Sequence, residues 1–144
     1  MTLAPIIRAF NMNDAAAAKT LYLRSWSELC TRLGIDVTTV DTSDWVVTAD
    51  WVAVGDSGKL LGFVLLKDNL IDRLYVDVDE QRAGVGKLLM VKAMAEGGNH
   101  LWVDEGSSRG RAFYESLGFT WSGVTKSGYN FPQFTMLEYR LDSV

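Results

Sequence analysis

At 144 residues the chain has the size of one domain and is long enough to bury a core. Its 48% apolar content excludes a disordered chain, and its net charge of −4 disfavours nucleic acid as the main partner, because phosphate-backbone binding needs a basic face. A single cysteine excludes an intramolecular disulfide, and no apolar run reaches the ~18 residues of a membrane span. We therefore expect one cytoplasmic domain over residues 1–144, with no membrane partner.

The N-terminal part predicts a strand and then a helix. Residues 5–10 indicate the strand, and Asn11 or Asn13 is a suitable N-cap for the helix that follows. Gly34 is expected to end that helix, whose apolar stripe comprises Tyr22, Trp26, Leu29 and Leu33. The pattern favours core packing of the aromatic residues over ligand contact. Residues 35–47 leave a short helix and a mobile loop covering a site as alternatives.

The middle of the chain predicts an antiparallel meander. Three apolar runs, residues 50–54, 60–66 and 70–76, have the composition of strands, and polar turns separate them. The third run leads through an acidic turn into residues 81–86, which read Gln-Arg-Ala-Gly-Val-Gly, and then into a helix. Gly84 and Gly86 carry no Cβ to hold an anion away from the first free N–H groups of the helix. This junction is typical of a phosphate-binding turn, and Lys87 adds a cation to it.

The C-terminal part continues with alternating elements. The helix from Val85 ends at Gly97 and Gly98, and a short strand follows at residues 100–104. A strand, a helix and a strand in this order predict a parallel crossover. Ser107 or Ser108 then caps a second helix that runs to Leu117. Residues 119–124 and 134–141 complete the sheet as a hairpin, with a polar loop over residues 126–132. The predicted fold class is α/β with a mixed sheet, in which an antiparallel meander adjoins a parallel, splayed strand pair flanked by helices.

Two motifs resemble those of the GNAT superfamily of N-acetyltransferases. Residues 81–86 are similar to the family's Gln/Arg-x-x-Gly-x-Gly/Ala motif, and residues 112–119, Ala-Phe-Tyr-Glu-Ser-Leu-Gly-Phe, are similar to its Phe-Tyr-Glu-x-x-Gly-Phe signature. They occur in the family's order, with one strand between them. The chain departs from the family pattern at Ser107, where Asn is usual, and at Gly110, where Ala is usual.

The resemblance implies acetyl-CoA as co-substrate and no metal. It implies that backbone N–H groups of the glycine turn bind the diphosphate, and that Leu74 and Val76 offer backbone groups to the pantetheine arm as an added strand would. Ser107 is expected to donate a hydrogen bond to the same arm, and Arg82 or Lys87 to pair with a phosphate. The implied cofactor-binding set is Leu74, Val76, Gln81, Arg82, Ala83, Gly84, Val85, Gly86, Lys87, Ser107 and Tyr114.

The resemblance also implies direct attack of an amine on the thioester. Tyr114 is the residue expected to assist the departing thiolate by hydrogen-bond donation. An alkyl ammonium has a pKa near ~10.4, so a base or a water chain must take its proton. Asp72 is the first candidate base, because it lies on the first motif's strand on the same side as Leu74 and Val76, and Glu105 is the second.

The acceptor is expected to be a primary amine of a small molecule or a peptide, and a homodimer is possible. Trp26, Trp45 and Tyr129 are candidates for amine contact, although core or surface roles explain them equally well. Two other classes compete with the enzyme: an acyl-CoA-binding sensor without turnover, and an ATP-binding α/β domain. The second lacks Gly-x-x-x-x-Gly-Lys-Ser/Thr, and its sheet should be mostly parallel.

Overall fold

The structure is a computed structural model and describes residues 4–32, 34–80, 84–128 and 134–141. Within these ranges the chain forms seven strands and three α-helices. The strands are β1 Ile6–Ala9, β2 Trp51–Val54, β3 Leu60–Lys67, β4 Leu70–Val76, β5 His100–Asp104, β6 Phe119–Ser127 and β7 Thr135–Leu141. The helices are α1 Ala15–Arg32, α2 Val85–Ala95 and α3 Ser108–Ser116, and short 3-10 turns occupy Met12–Asp14, Val37–Thr39 and Val78–Glu80.

The chain divides into two compact units. The first comprises Met1–Leu66 and Arg73–Glu96, and the second comprises Lys67–Asp72 and Gly97–Val144. Strand β4 therefore contributes its first residues to the second unit and its last residues to the first. Each unit has its own strand pairings and its own helices.

In the first unit the strand order is β1-β2-β3-β4, with antiparallel pairing of β1 to β2 and of β2 to β3. Helix α1 contributes Ala18 and Leu21 to a buried cluster that also contains Val47, Val52, Leu60 and Phe63. Helix α2 packs at Gly62, where an added Cβ would lie 3.0 Å from Leu89 Cδ1 and 2.8 Å from the Tyr75 carbonyl oxygen. Because Gly62 and Phe63 are neighbours on one strand, the two helices cover opposite faces of it.

In the second unit the strand order is β4-β5-β7-β6. Strands β4 and β5 are parallel, with Leu70 opposite His100, whereas β7 pairs antiparallel with both β5 and β6. Helix α3 packs on β5 and β6. Among its described residues, the buried apolar ones are Ile71, Leu101, Val103, Phe119, Leu137 and Tyr139.

The predicted fold class is confirmed, since the mixed sheet contains one parallel pair, β4 and β5, beside antiparallel strands. The end of β6 differs from the prediction, and the structure describes residues 35–47, for which the sequence left two alternatives. Strand β6 continues to Ser127, so the expected polar loop starts inside it, and a register shift near Gly123 (φ +94°) accommodates the extra length. Residues 35–47 contain the 3-10 turn Val37–Thr39, which Asp36 caps through its side chain.

None of the helices in the described ranges has both the length and the apolar character needed to span a bilayer.

Candidate functional site

The end of β4 leads into the turn that the sequence marks as phosphate-binding. Leu74 and Val76 lie on β4 and are partly buried, and the 3-10 turn Val78–Glu80 follows Asp77. Gln81, Arg82 and Ala83 lie outside the described residues. The description resumes at Gly84, directly before α2, so the predicted order of strand, acidic turn, glycine and helix is confirmed.

Gly84 occupies the N-cap position of α2 with φ +81° and ψ 8°, the left-handed conformation that favours glycine. Gly84 itself is exposed, and a Cβ added there would lie more than 4 Å from the heavy atoms of other described residues. No side chain of the described residues caps α2, and the first N–H groups of a helix have no acceptor within the helix itself. Val85 is buried and fixes the helix start, while Lys87 is exposed. This helix start fits a diphosphate.

Asp77 is a buried carboxylate immediately before this turn, and the sequence interpretation missed its role. Arg24 of α1 donates from Nη1 to both carboxylate oxygens, at 3.1 and 3.3 Å, and the Lys59 Nζ atom lies 3.9 Å from Oδ2. The same carboxylate accepts the N–H of Asp79 at 3.0 Å. The only sequence signal is that a charged residue directly follows a half-buried strand.

In the second unit, α3 carries the predicted catalytic tyrosine. Ser107 is the N-cap of α3 and its Oγ atom accepts the N–H of Gly110 at 3.1 Å, which confirms the predicted cap. An added Cβ at Gly110 would lie 2.7 Å from that Oγ atom. The two departures from the family pattern are therefore linked, because the serine cap occupies the space that an alanine methyl group would need. The Ser107 hydroxyl still has its own proton to donate.

Tyr114 lies in a largely apolar environment on α3. Its ring centroid is 5.1 Å from that of Phe113 and 6.4 Å from that of Phe119, both in edge-to-face arrangements. Burial raises the pKa of the Tyr114 phenol to about 12. The hydroxyl therefore stays protonated throughout the neutral and mildly alkaline range and acts as a hydrogen-bond donor.

The residue after Tyr114 anchors α3 to β7. The hydroxyl of Tyr139, which is buried, donates to Glu115 Oε2 at 2.7 Å and accepts from Arg111 Nε at 3.0 Å. Arg111 also donates from Nη1 to the Glu105 carbonyl oxygen at 3.2 Å. Both Arg111 and Glu115 lie on α3, so this network fixes the rotation of the helix and with it the direction of Tyr114. Sequence alternation on β7 indicates that Tyr139 points inward, but it does not indicate its partners.

The two candidate bases differ in their surroundings. Asp72 is partly buried on β4, with its Oδ2 atom 3.7 Å from the Nζ atom of the exposed Lys67. Glu105 follows β5 and its side chain is exposed, while its backbone N–H donates to the Thr135 carbonyl oxygen at 2.9 Å. Asp72 is therefore the more sheltered of the two carboxylates.

The aromatic residues of α1 both contact Trp45, and Tyr22 also contacts β4 of the first unit. Tyr22 contacts Trp45 and Tyr75 edge-on, with ring centroids 6.1 and 5.0 Å apart, and Trp26 contacts Trp45 at 5.2 Å. The Arg73 guanidinium lies 5.3 Å from the Tyr22 ring centroid. Tyr22 also packs on the buried cluster of the first unit, in agreement with the predicted core role. Tyr129 lies outside the described residues.

The described candidates are divided between the units. Leu74, Val76 and residues 84–87 belong to the first unit, and Asp72, Glu105, Ser107 and Tyr114 belong to the second. Within the described residues, no group of three or more His, Cys, Asp and Glu side chains is placed to hold a metal ion.

Comparison with known proteins gives a consistent result. The family model described as "Acetyltransferase (GNAT) domain" matches residues 45–121. The chain is 35% identical over 74 residues to the peptidyl-lysine N-acetyltransferase YjaB of Salmonella typhimurium, a match that covers 51% of each sequence. The chain thus spans about half the length of this curated relative.

Two solved structures share the fold. Apo-form YjaB from Escherichia coli superposes with a TM-score of 0.71 at 23% identity, covering 99% of this chain and all of that one. The PaiA N-acetyltransferase of Thermoplasma acidophilum, solved in complex with coenzyme A, gives a TM-score of 0.60 at 15% identity, covering 96% of this chain and 99% of the other. At these identities the likeness shows the fold.

Proposed function

The chain belongs to the GNAT acetyltransferase family, and we propose that it is an acetyl-CoA-dependent N-acetyltransferase acting on a primary amine of a small molecule or a peptide. The observation that carries this proposal is the uncapped start of α2. There Gly84, in the left-handed conformation, follows the end of β4 and leaves space where any other residue would place a Cβ.

The diphosphate of acetyl-CoA is assigned to the N–H groups of residues 84–87. Each well-placed interaction of an anion with a helix start contributes about 0.3 to 1 kcal/mol when exposed and up to about 2 kcal/mol when partly buried, so several together anchor the cofactor. Lys87 is exposed and makes no ion pair with another described residue, which suits a phosphate contact. Gln81, Arg82 and Ala83 stay predicted members of this site, as do Leu74 and Val76 for the pantetheine arm.

Tyr114 is assigned to the leaving group. As the amine nitrogen attacks the thioester carbonyl carbon, the carbon–sulfur bond breaks and its electron pair goes to sulfur. A phenol with a pKa of about 12 and a thiol with a pKa of about 8.5 make full proton transfer uphill by about 5 kcal/mol. The Tyr114 hydroxyl therefore stabilises the developing thiolate as a hydrogen-bond donor, and the thiolate takes its proton from solvent or takes the proton that the attacking nitrogen loses as the amide forms.

Asp72 is assigned to the acceptor amine as the base, with Glu105 as the alternative. The attacking amine is an ammonium ion at neutral pH and must lose one proton before attack. The Asp72 Oδ2 atom lies 3.7 Å from the Nζ atom of Lys67, and this contact with an alkyl ammonium supports the assignment. Its sheltered position also favours a lasting contact with an ammonium group.

The name of the curated relative supports a peptide acceptor. YjaB is a peptidyl-lysine N-acetyltransferase, so a lysine side chain within a peptide is the first acceptor to test. A free small-molecule amine is the second. A single domain, a cytoplasmic location and a homodimer stay predictions of this proposal.

The proposal is tested by a screen of lysine peptides and small amines for thiol release from acetyl-CoA. We expect amine-dependent release with a subset of acceptors, and mass spectrometry should show a single added acetyl group. The control is the Gly84→Asp variant, which places a carboxylate where the diphosphate binds. A protein that binds coenzyme A but acetylates no member of the library would indicate the acyl-CoA-binding sensor instead.

A further inference from the structure

We infer that Asp77, through its ion pair with Arg24, is a positioning residue for the diphosphate of acetyl-CoA, although neither residue belongs to a recognised motif. This inference rests on the proposed function. We assign to the ion pair the role of holding the 3-10 turn Val78–Glu80, whose residues are the last ones described before α2 begins after Gly84.

Asp77 makes four polar interactions, two through its backbone and two through its carboxylate. Its backbone N–H donates to the Leu61 carbonyl oxygen of β3 at 2.8 Å, and its own carbonyl oxygen accepts the N–H of Glu80 at 2.8 Å. Its carboxylate accepts the N–H of Asp79 at 3.0 Å and pairs with Arg24. The residue thereby ties the 3-10 turn after β4 to both the sheet and α1.

The two side chains of the ion pair differ in how much of their surface is exposed. The side chain of Asp77 is 6% exposed and that of Arg24 is 45% exposed. A buried carboxylate without a partner is costly, so the pairing fixes where α1 must lie relative to the turn. Arg24 also forms an ion pair with Asp79, whose Oδ2 atom lies 3.5 Å from the Nη2 atom of Arg24. The 3-10 turn after β4 is therefore held by α1 through the ion pair and by β3 through the backbone hydrogen bond of Asp77.

A purely electrostatic role predicts the opposite result from a positioning role. Asp77 is negative, so the Asp77→Asn variant removes a charge that repels the diphosphate, and simple electrostatics predicts tighter binding of coenzyme A. A positioning role predicts weaker binding, because the amide loses the ion pair with Arg24. The sign of the change in affinity therefore separates the two roles.

Asp14 provides a matched control within the same unit. It too is a buried carboxylate that pairs with an arginine, at 2.8 Å from Arg8, and that accepts a nearby backbone N–H, from Asn11. It lies before α1, and its hydrogen bonds within the described residues go to Arg8 and Asn11 and to none of residues 77–80. Asp14→Asn therefore loses a comparable buried ion pair without touching the turn.

The experiment measures the affinity for coenzyme A by calorimetry and the KM for acetyl-CoA and for S-acetylpantetheine, which has the thioester but no diphosphate. For Asp77→Asn we expect affinity for coenzyme A to fall by about tenfold or more, as for loss of a charged hydrogen bond. The KM for S-acetylpantetheine should stay within about twofold of the wild-type value, as should every constant of Asp14→Asn.

Arg24→Gln, which alters a half-exposed side chain, should reproduce the loss if Asp77→Asn does not fold, and Arg24→Lys should restore part of the affinity.

Unchanged or tighter binding of coenzyme A by Asp77→Asn would overturn the inference, as would an equal loss with S-acetylpantetheine or with Asp14→Asn. If the wild-type protein itself binds no coenzyme A, the proposed function fails and the inference fails with it. If the wild-type protein binds coenzyme A and the Asp77→Asn variant binds it equally well, only the inference about Asp77 is overturned.

Discussion

At the scale of single residues, Tyr114 carries the most specific chemical expectation. Burial raises the pKa of its phenol to about 12, which keeps the proton on oxygen. A phenol of this kind donates a hydrogen bond in the transition state but contributes little to binding of the ground state. Its removal should therefore affect turnover more than affinity.

We expect Tyr114→Phe to lower kcat by about tenfold or more, because a lost hydrogen bond to a developing charge costs at least about 1.4 kcal/mol in the transition state. The dissociation constant for coenzyme A should stay nearly unchanged. Steady-state kinetics and calorimetry measure the two quantities. Tyr22→Phe, which removes a hydroxyl from a partly buried tyrosine of α1, is the control and should retain turnover. Full turnover by Tyr114→Phe would remove Tyr114 from the mechanism.

The carboxylate of Asp14 sets a pH dependence of stability. The Arg8 guanidinium holds the pKa of Asp14 below its ordinary value, outweighing the effect of burial. A carboxyl group with a lowered pKa in the folded state stabilises the protein above its unfolded pKa of about 3.9, and that stabilisation is lost as the pH falls. Asp14 also completes a capping box with Asn11 at the turn that leads into α1.

We therefore expect Asp14→Asn to lower the free energy of unfolding at pH 7 by about 1 to 3 kcal/mol. The difference between variant and wild type should shrink as the pH falls below about 4, because the wild-type carboxyl group then becomes neutral. Urea unfolding at both pH values measures this. A difference that stays constant across this range would show that the ion pair with Arg8 is not its source.

At the scale of elements, the junction of β4 and α2 depends on the backbone conformation of Gly84. An L-residue in the left-handed region costs about 1 to 2 kcal/mol, and the structure shows no neighbouring atom that an added methyl group would strike. Loss of stability and loss of cofactor affinity therefore have separate causes here. We expect backbone strain to produce the first, and a methyl group between the N–H groups and the proposed diphosphate to produce the second.

Gly58 allows the two causes to be separated. It has the same φ of +81° and likewise no atom within 4 Å of an added Cβ, but it lies in the turn between β2 and β3. We expect Gly84→Ala and Gly58→Ala to lose similar stability, about 1 kcal/mol each. Only Gly84→Ala should weaken binding of coenzyme A, as measured by calorimetry. Equal affinities of the two variants would argue against diphosphate binding at this helix start.

The elements that could be predicted from the sequence are those determined by local chemistry. Ser107 caps α3 and Gly34, at φ +73°, follows the end of α1, because a cap or a left-handed glycine needs only a few neighbouring residues. The end of β6 was misplaced, since its extension to Ser127 depends on a register shift against β7. Pairing across strands is a long-range property that periodicity within one strand does not report.

The same limit applies to the candidate site. Gly84 and Tyr114 were found from short motifs, whereas the partners of Asp77 and Tyr139 were not. Arg24 and Asp77 are 53 residues apart in sequence, and Tyr139 and Glu115 are 24 apart. Such contacts arise only when tertiary packing brings their elements together.

At the scale of the whole molecule, the central claim is that this member of the GNAT family uses acetyl-CoA as its acyl donor. Binding of a ligand to the folded state alone stabilises that state by mass action, so the claim predicts both a heat of binding and a rise in Tm. Both quantities are independent of the identity of the acceptor amine.

The most direct test is titration calorimetry of the full chain with coenzyme A, followed by thermal unfolding at the highest ligand concentration. We expect saturable binding of one molecule per chain with a Kd below about 1 mM, equivalent to more than about 4 kcal/mol of binding free energy. The Tm should rise with ligand concentration. Neither heat nor a rise in Tm at millimolar coenzyme A would contradict the account.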